Sequence, residues 1–306
     1  MDIVHTTASR EPPRESDNGW RVRPMTRGDI KGAMTVIDAA SASEDGSNQP
    51  RTPPSPEQLA ARHRAHGRFV ERDPAGAWVA VSDDDQVLGV AESIRRGDFW
   101  GLSMLFIHPE FQSRGVGRQL LDAALGYAAG ARRRMIQSST DPRAMRRYAL
   151  AGLAMHPAAV VSGAPDRRAI PAGLVGREGN VDDLELVEEV EVHLGRSRTE
   201  DVAFVLGEER VQLEVVDQGI GRRGWALWHP GRLFMLGATD EDTAVSLLWR
   251  YLAGEEGDAV ADGLTSNQDW AFSVAHAARL TLRVGGAMFV DGMAIPGPWI
   301  PSGWYF

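Results

Sequence analysis

The 306-residue sequence predicts an α/β fold in which helices flank a central sheet, with the same plan in both halves of the chain. Two observations predict it. Apolar stripes at helical spacing alternate with short runs of β-forming residues. The order of those elements in residues 182–306 also resembles their order in residues 20–165, the pattern an ancient duplication leaves.

In chain order, residues 1–19 are polar and carry Pro12, Pro13 and Gly19, which reads as a disordered leader. Arg21 to Met25 alternates as a short strand, and Ile30, Ala33, Met34 and Ile37 give the next segment a helical stripe. Ser41 to Pro56 reads as a loop because four prolines crowd its end. A second helix starts at Glu57, with Leu59, Ala60, His63, Phe69 and Val70 on its stripe. Strands follow at Ala77 to Val81, Val87 to Ile94 and Phe99 to Ile107, the first two joined by a solvated turn at Asp83, Asp84 and Asp85. A glycine-punctuated turn then opens a helix carrying Leu120, Leu121, Ala124, Leu125 and Ala128, with Arg132 to Arg134 expected to close it. Met135 to Ser139 reads as a strand, Pro142 to Ala149 as a helix stopped by Gly152, and Ala158 to Ser162 as a strand.

Residues 166–181, rich in proline and glycine, mark a linker. Beyond it the pattern predicts helices from Asp182 and Glu200 and strands at Val211 to Val216, Trp225 to His229 and Leu233 to Leu236. A helix from Asp240 to Leu252, a strand near Val260, a helix from Trp270 to Arg283 and a last strand at Ala287 to Val290 complete the chain. The expected domains are therefore 20–165 and 182–306.

Composition narrows the function. The net charge of −9 argues against a general nucleic-acid binder, and no run is apolar for the roughly 20 residues that a membrane span needs. Residues 1–165 balance at +2 and residues 166–306 at −11, so an anionic small molecule meets less repulsion in the first half. The absence of cysteine excludes disulfides, thiolate metal sites and a cysteine nucleophile. His63 and His66, three apart on one helix, have no third ligand in view, so no metal is expected. The N-terminus lacks the apolar core of a secretory signal, and a cytoplasmic protein follows. One lysine beside 32 arginines is the codon bias of a GC-rich, bacterial genome.

The segment that carries chemistry is Leu105-Phe106-Ile107-His108-Pro109-Glu110-Phe111-Gln112-Ser113-Arg114-Gly115-Val116-Gly117-Arg118. It describes a strand running into a tight turn and then a helix N-terminus, where unpaired backbone N–H groups and the helix dipole favour an anion. Gly115 and Gly117 permit close backbone approach, and Arg114 and Arg118 add positive charge. The spacing is neither that of a P-loop nor that of a dinucleotide-binding turn.

These residues resemble the GNAT superfamily of N-acetyltransferases, whose Q/R-x-x-G-x-G/A turn is matched by Gln112, Gly115 and Gly117. The resemblance spans roughly residues 21–165. It implies a mixed, mostly antiparallel sheet flanked by helices, and acetyl-CoA as co-substrate. Gln112, Ser113, Arg114, Gly115, Val116, Gly117 and Arg118 would hold its phosphates, and Phe106 and Ile107 would line the pantetheine path. The helix Asp141 to Leu153 looks like the family's A-x-x-x-Y-x-x-x-G-F element, with Leu153 in place of phenylalanine. Its tyrosine falls on Tyr148, a proton donor for the departing thiolate or else a core aromatic. Glu92 is the candidate base, with a surface carboxylate as the plain alternative.

At the corresponding place in the second half, Phe234 to Thr243 enters a helix with Asp240, Glu241 and Asp242 and no repeated glycine. These carboxylates satisfy helix amides and repel a pyrophosphate, so that half reads as a degenerate GNAT-like domain, with a different fold as the alternative. Most of its six tryptophans are expected in cores or interfaces. The resemblance thus implies an acetyl-CoA-dependent N-acetyltransferase acting in a ternary complex on a primary amine of a small molecule or peptide. The acidic second half suits a cationic acceptor, and an oligomer is compatible with this reading. The alternative is a non-catalytic protein that senses acyl-CoA or binds a partner.

Overall fold

Residues 19–45 and 53–305 are described by a computed structural model, and they fall into two units. Of the described residues, those up to 92 and those at 105–126 form the first, and those at 93–104 and from 127 on form the second. The expected leader at 1–19 lies, but for Gly19, outside the described residues.

The first unit opens with β1 (Trp20–Pro24). Thr26 and Asp29 then form a capping box, and Arg23 grips the Asp29 carboxylate with two 2.8 Å hydrogen bonds. Helix α1 (Ile30–Asp45) buries Ile30, Ala33, Val36 and Ala40. It runs through Ser41 to Asp45, residues expected in a loop, because the helical pattern persists until glycine and proline interrupt it. Helix α2 (Pro56–Arg72) starts from Ser55, whose hydroxyl accepts from the Gln58 amide. Its buried face holds His66, Gly67 and Phe69, whereas Leu59, Ala60 and His63 are exposed, so of the expected stripe only Phe69 is buried.

Strand β2 (Ala77–Ser82) pairs antiparallel with β1 and with β3 (Val87–Arg96), through the exposed turn at Asp83 to Asp85. Strand β4 (Phe99–Ile107) leads through a helical turn at Pro109–Phe111 into α3 (Val116–Tyr127). Gly89 on β3 is required by packing, since a Cβ there would stand 2.8 Å from Leu120 Cδ1 and 3.2 Å from the Phe106 carbonyl oxygen. Helix α3 ends at Tyr127, before the arginines expected to close it. Gly130 breaks the chain at φ +78, and Arg132 and Arg133 pair with Asp98.

In the second unit, β5 (Arg133–Ser138) pairs parallel with β4 from Phe99 to Leu102. Helix α4 (Pro142–Leu150) is capped by Asp141 and precedes β6 (Ala154–Gly163). Strand β7 (Arg177–Gly179) lies within residues 166–181, where the composition marks a linker, and pairs with β8 (Gln212–Asp217). Between them come α5 (Leu184–His193) and α6 (Thr199–Leu206). Strands β9 (Arg223–His229) and β10 (Arg232–Ala238) continue an antiparallel meander, with α7 (Glu241–Gly254) packed over it. Strand β11 (Ala259–Leu264), helix α8 (Asp269–Ala277), β12 (Thr281–Asp291) and β13 (Trp299–Ile300) finish the chain.

Helix α8 stops short of the expected Arg283, because Arg279 takes φ +60 and Thr281 to Val284 favour extended backbone. The resulting strand β12 is inserted between β5 and β6, antiparallel to both, and β11 pairs with the other edge of β6. Gly286 makes the insertion sterically feasible: at φ +96 it lies so close to Ser138 that a Cβ would collide with the Ser138 carbonyl. The remaining strands form a second sheet in the order β13-β10-β9-β8-β7. Trp225, Trp228, Trp249, Trp270 and Trp299 are all buried in this unit, as their clustering predicts.

Candidate acyl-donor site

The glycine turn follows from three local constraints. The Gln112 side-chain amide donates to the Ile107 carbonyl at 3.2 Å, tying the turn back to the end of β4. Ser113 and Gly115 then take φ +63 and +97, which reverses the chain toward α3. Gly117 faces Ile107, where a Cβ would come within 2.8 Å of Cδ1. Gly115 is thus needed for its backbone angle and Gly117 for the closeness of α3 to β4.

The turn leaves a run of donors. Arg118 and Gln119 donate to the Gly115 carbonyl at 3.1 and 3.2 Å, closing the first helical turn. Among the described residues, the backbone N–H groups of Ser113, Arg114, Gly115, Val116 and Gly117 meet no acceptor within the chain. The Arg114 guanidinium lies 5.2 Å from the Phe111 ring centroid, and Arg118 reaches Asp122 at 3.8 Å on the exposed face of α3. Five consecutive amides at a helix start, flanked by two arginines, can bind an extended anion without a metal. Phe106 and Ile107, half-buried on β4, lie immediately before the turn. The parallel pairing of β4 with β5 ends at Leu102 and Ile136, although β4 runs on to Ile107.

Glu92 is fully buried on β3, not a surface carboxylate. Both of its oxygens are 2.9 Å from His66 Nδ1, and that histidine is itself only 1% exposed. Burial raises the Glu92 carboxyl above its ordinary value and outweighs the opposing effect of His66. The sequence marks His66 only as half of a histidine pair; its partnership with Glu92 spans 26 residues and has no local signature.

Tyr148 belongs to the second unit, on α4. It is 5% exposed, and its ring meets Phe289 of β12 edge-on, with centroids 5.4 Å apart. In the second half, Asp240 caps α7: its side chain accepts from the Thr243 amide at 3.0 Å and from the Thr243 hydroxyl at 2.6 Å. The start of α7 therefore supplies its own anion. Among the described residues no helix is long and apolar enough to cross a membrane.

Residues 42–153 match the model of the Acetyltransferase (GNAT) family. No curated protein matches the chain by sequence. Solved structures share its fold at low identity. A protein classed as an acetyltransferase from Pyrococcus horikoshii superposes with a TM-score of 0.76 at 13% identity, covering 98% of this chain and 100% of that one. A GCN5-related N-acetyltransferase from Sphaerobacter thermophilus gives 0.58 at 15% identity, covering 94% and 98%. Another from Kribbella flavida gives 0.57 at 18% identity, covering 89% and 71%. The fold is that of the GNAT acetyltransferases, a mostly antiparallel sheet flanked by helices.

Proposed function

We propose that the chain is an N-acyltransferase that moves an acetyl group from acetyl-CoA to a primary amine by direct attack within a ternary complex. The observation that carries this reading is the run of unpaired amides from Ser113 to Gly117 at the start of α3. A pyrophosphate presents several oxygens at the spacing of successive amides, and Arg114 and Arg118 add charge beside them. The part of β4 beyond Leu102 offers backbone groups to a pantetheine arm, which carries amides of its own.

In this reading Tyr148 protonates the departing CoA thiolate. Its ring is held by edge-on packing against Phe289, and the hydroxyl is the group that would carry the proton. Glu92 accepts the amine proton as the inner member of the His66 pair, and its raised proton affinity suits that task better than an ordinary carboxylate would.

Residues 20–165 and 182–306 are read as two related halves, the second without a donor site. Two features support this. The strand order β5-β12-β6-β11 alternates between the halves, and Asp240 occupies the helix start that a phosphate would need. A cationic acceptor fits the acidity of the second half.

The test is CoA release across a panel of amines, with calorimetry of acetyl-CoA alone. Turnover with one acetyl-CoA bound per chain is expected. Binding without release on every amine would make the protein an acyl-CoA sensor, and no binding would overturn the donor site.

A further inference from the structure

We propose that the second unit binds one small monovalent anion, of the halide class, against Arg196 and Arg198. The site is a small cavity bounded by Arg96, Arg196, Ser197 and Arg198 and by Ile94, Phe99 and the phenol of Tyr305. Its lining includes no residue of the glycine turn, neither Glu92 nor Tyr148, and neither arginine has a part in the acyl-transfer reading.

The argument begins with charge. Arg196 is 8% exposed and Arg198 3%, and both serve the fully buried carboxylate of Glu191. Arg196 Nη2 donates to Glu191 Oε1 at 2.9 Å, while Arg198 Nε donates to Oε2 at 2.8 Å and Nη2 to Oε1 at 3.1 Å. Arg96, the third guanidinium, is spoken for: its Nε and Nη2 donate to Asp201 at 2.7 and 2.8 Å. Arg196 and Arg198 thus share the single carboxylate of Glu191, which leaves one positive charge uncompensated in a desolvated place. Such a charge is costly unless an anion joins it.

The hydrogen bonds lead to the same conclusion independently. Arg196 Nε and Nη1 and Arg198 Nη1 are buried and have no acceptor among the described residues. Guanidinium N–H groups cannot accept, so nothing but an acceptor satisfies them. The planes of the two groups are held by tryptophans: Arg196 lies 3.8 Å from the Trp299 ring centroid and Arg198 5.1 Å from that of Trp225. The donors therefore cannot swing out to water without breaking those stacks. Burial and the charge of Arg198 press Arg196 down to about 9, against the pull of Glu191, as expected where positive charge is in excess.

Size and polarity select the ion. The cavity admits one species of about the size of a water molecule and no polyatomic anion, and its largely apolar walls favour an ion that sheds its hydration readily. Phosphate and sulfate are too large, and their second charge would exceed the single charge to be balanced.

Bromide is the probe. Thermal unfolding of the full chain is followed as sodium bromide replaces sodium gluconate at constant ionic strength. A saturable rise in Tm of about 2–4 °C is expected, the scale that a ligand stabilising a domain of this size produces. Arg196→Met leaves Arg198 alone against Glu191, so the variant should fold in gluconate and show no bromide-dependent rise. Should that variant not fold, crystals of the parent grown in bromide give an independent reading. An anomalous peak within hydrogen-bonding reach of Arg196 Nε or Nη1 and Arg198 Nη1 is expected. An unoccupied or water-filled cavity at saturating bromide, or the same bromide response in parent and Arg196→Met, would overturn the proposal.

Discussion

Glu92 and His66 meet in the interior: both carboxylate oxygens lie 2.9 Å from the imidazole Nδ1, and neither side chain has appreciable contact with solvent. Burial raises the proton affinity of Glu92 in the folded chain above that of the unfolded chain. The stability carried by that proton is complete below the ordinary carboxyl value and is lost as pH rises through the raised one. Glu92→Gln cannot titrate. Urea melts at about pH 5 and about pH 8 should therefore show the parent losing more stability with rising pH than the variant. Parallel behaviour would return Glu92 to an ordinary proton affinity. If Glu92 accepts the amine proton, turnover of the variant also falls by about 100-fold or more.

The glycine turn calls for a pair of substitutions that separates charge from backbone strain. Gly115 has φ +97 and open space where a Cβ would stand, so Asn and Asp impose similar strain and differ by one charge. Gly115→Asp should weaken acetyl-CoA binding by about tenfold or more relative to Gly115→Asn, because the carboxylate faces the phosphates. Calorimetry that finds equal affinities in two folded variants would remove the phosphates from this turn.

Tyr148→Phe keeps the ring that packs on Phe289 and removes only the hydroxyl. We expect turnover to fall by about 10- to 1,000-fold, the range for losing a general acid, with acetyl-CoA affinity almost unchanged. Stability should change by no more than about 1 kcal/mol, which denaturant titration can confirm. Full activity would make the tyrosine a packing residue alone.

A fragment ending at residue 170 lacks β12, the strand that stands between β5 and β6. Two strand edges and the apolar residues covered by Met288 and Phe289 would be left bare. The fragment should be insoluble or aggregate on gel filtration, and adding residues 171–306 in trans during refolding should recover soluble protein. A soluble, cooperatively folded fragment would show that β5 and β6 can pair without β12.

Much of the fold was legible because it rests on local rules. The stripe of α1, the hairpin at Asp83 to Asp85, the Asp240 cap and the glycine turn each depend on residues within a few positions of one another. The boundaries that moved did so for equally local reasons: Ser41 to Asp45 extend α1, and Arg279 ends the region of α8 early. The turn could be read in detail because its backbone angles and free amides are dictated by Gln112, Ser113, Gly115 and Gly117 themselves.

By itself, then, the sequence determined the order of helices and strands and the presence of a glycine turn at a helix start. The tertiary structure alone decided that Glu92 is buried against His66, that Phe289 supports Tyr148, and that β12 stands inside the sheet between β5 and β6. Those partners are separated by 26 residues for Glu92 and His66, and by far more for Tyr148 and Phe289. A strand's own sequence encodes its period and its burial, but not which edge it will join. That choice is made by the collective burial of apolar surface and by the close backbone approach that Gly286 allows at Ser138.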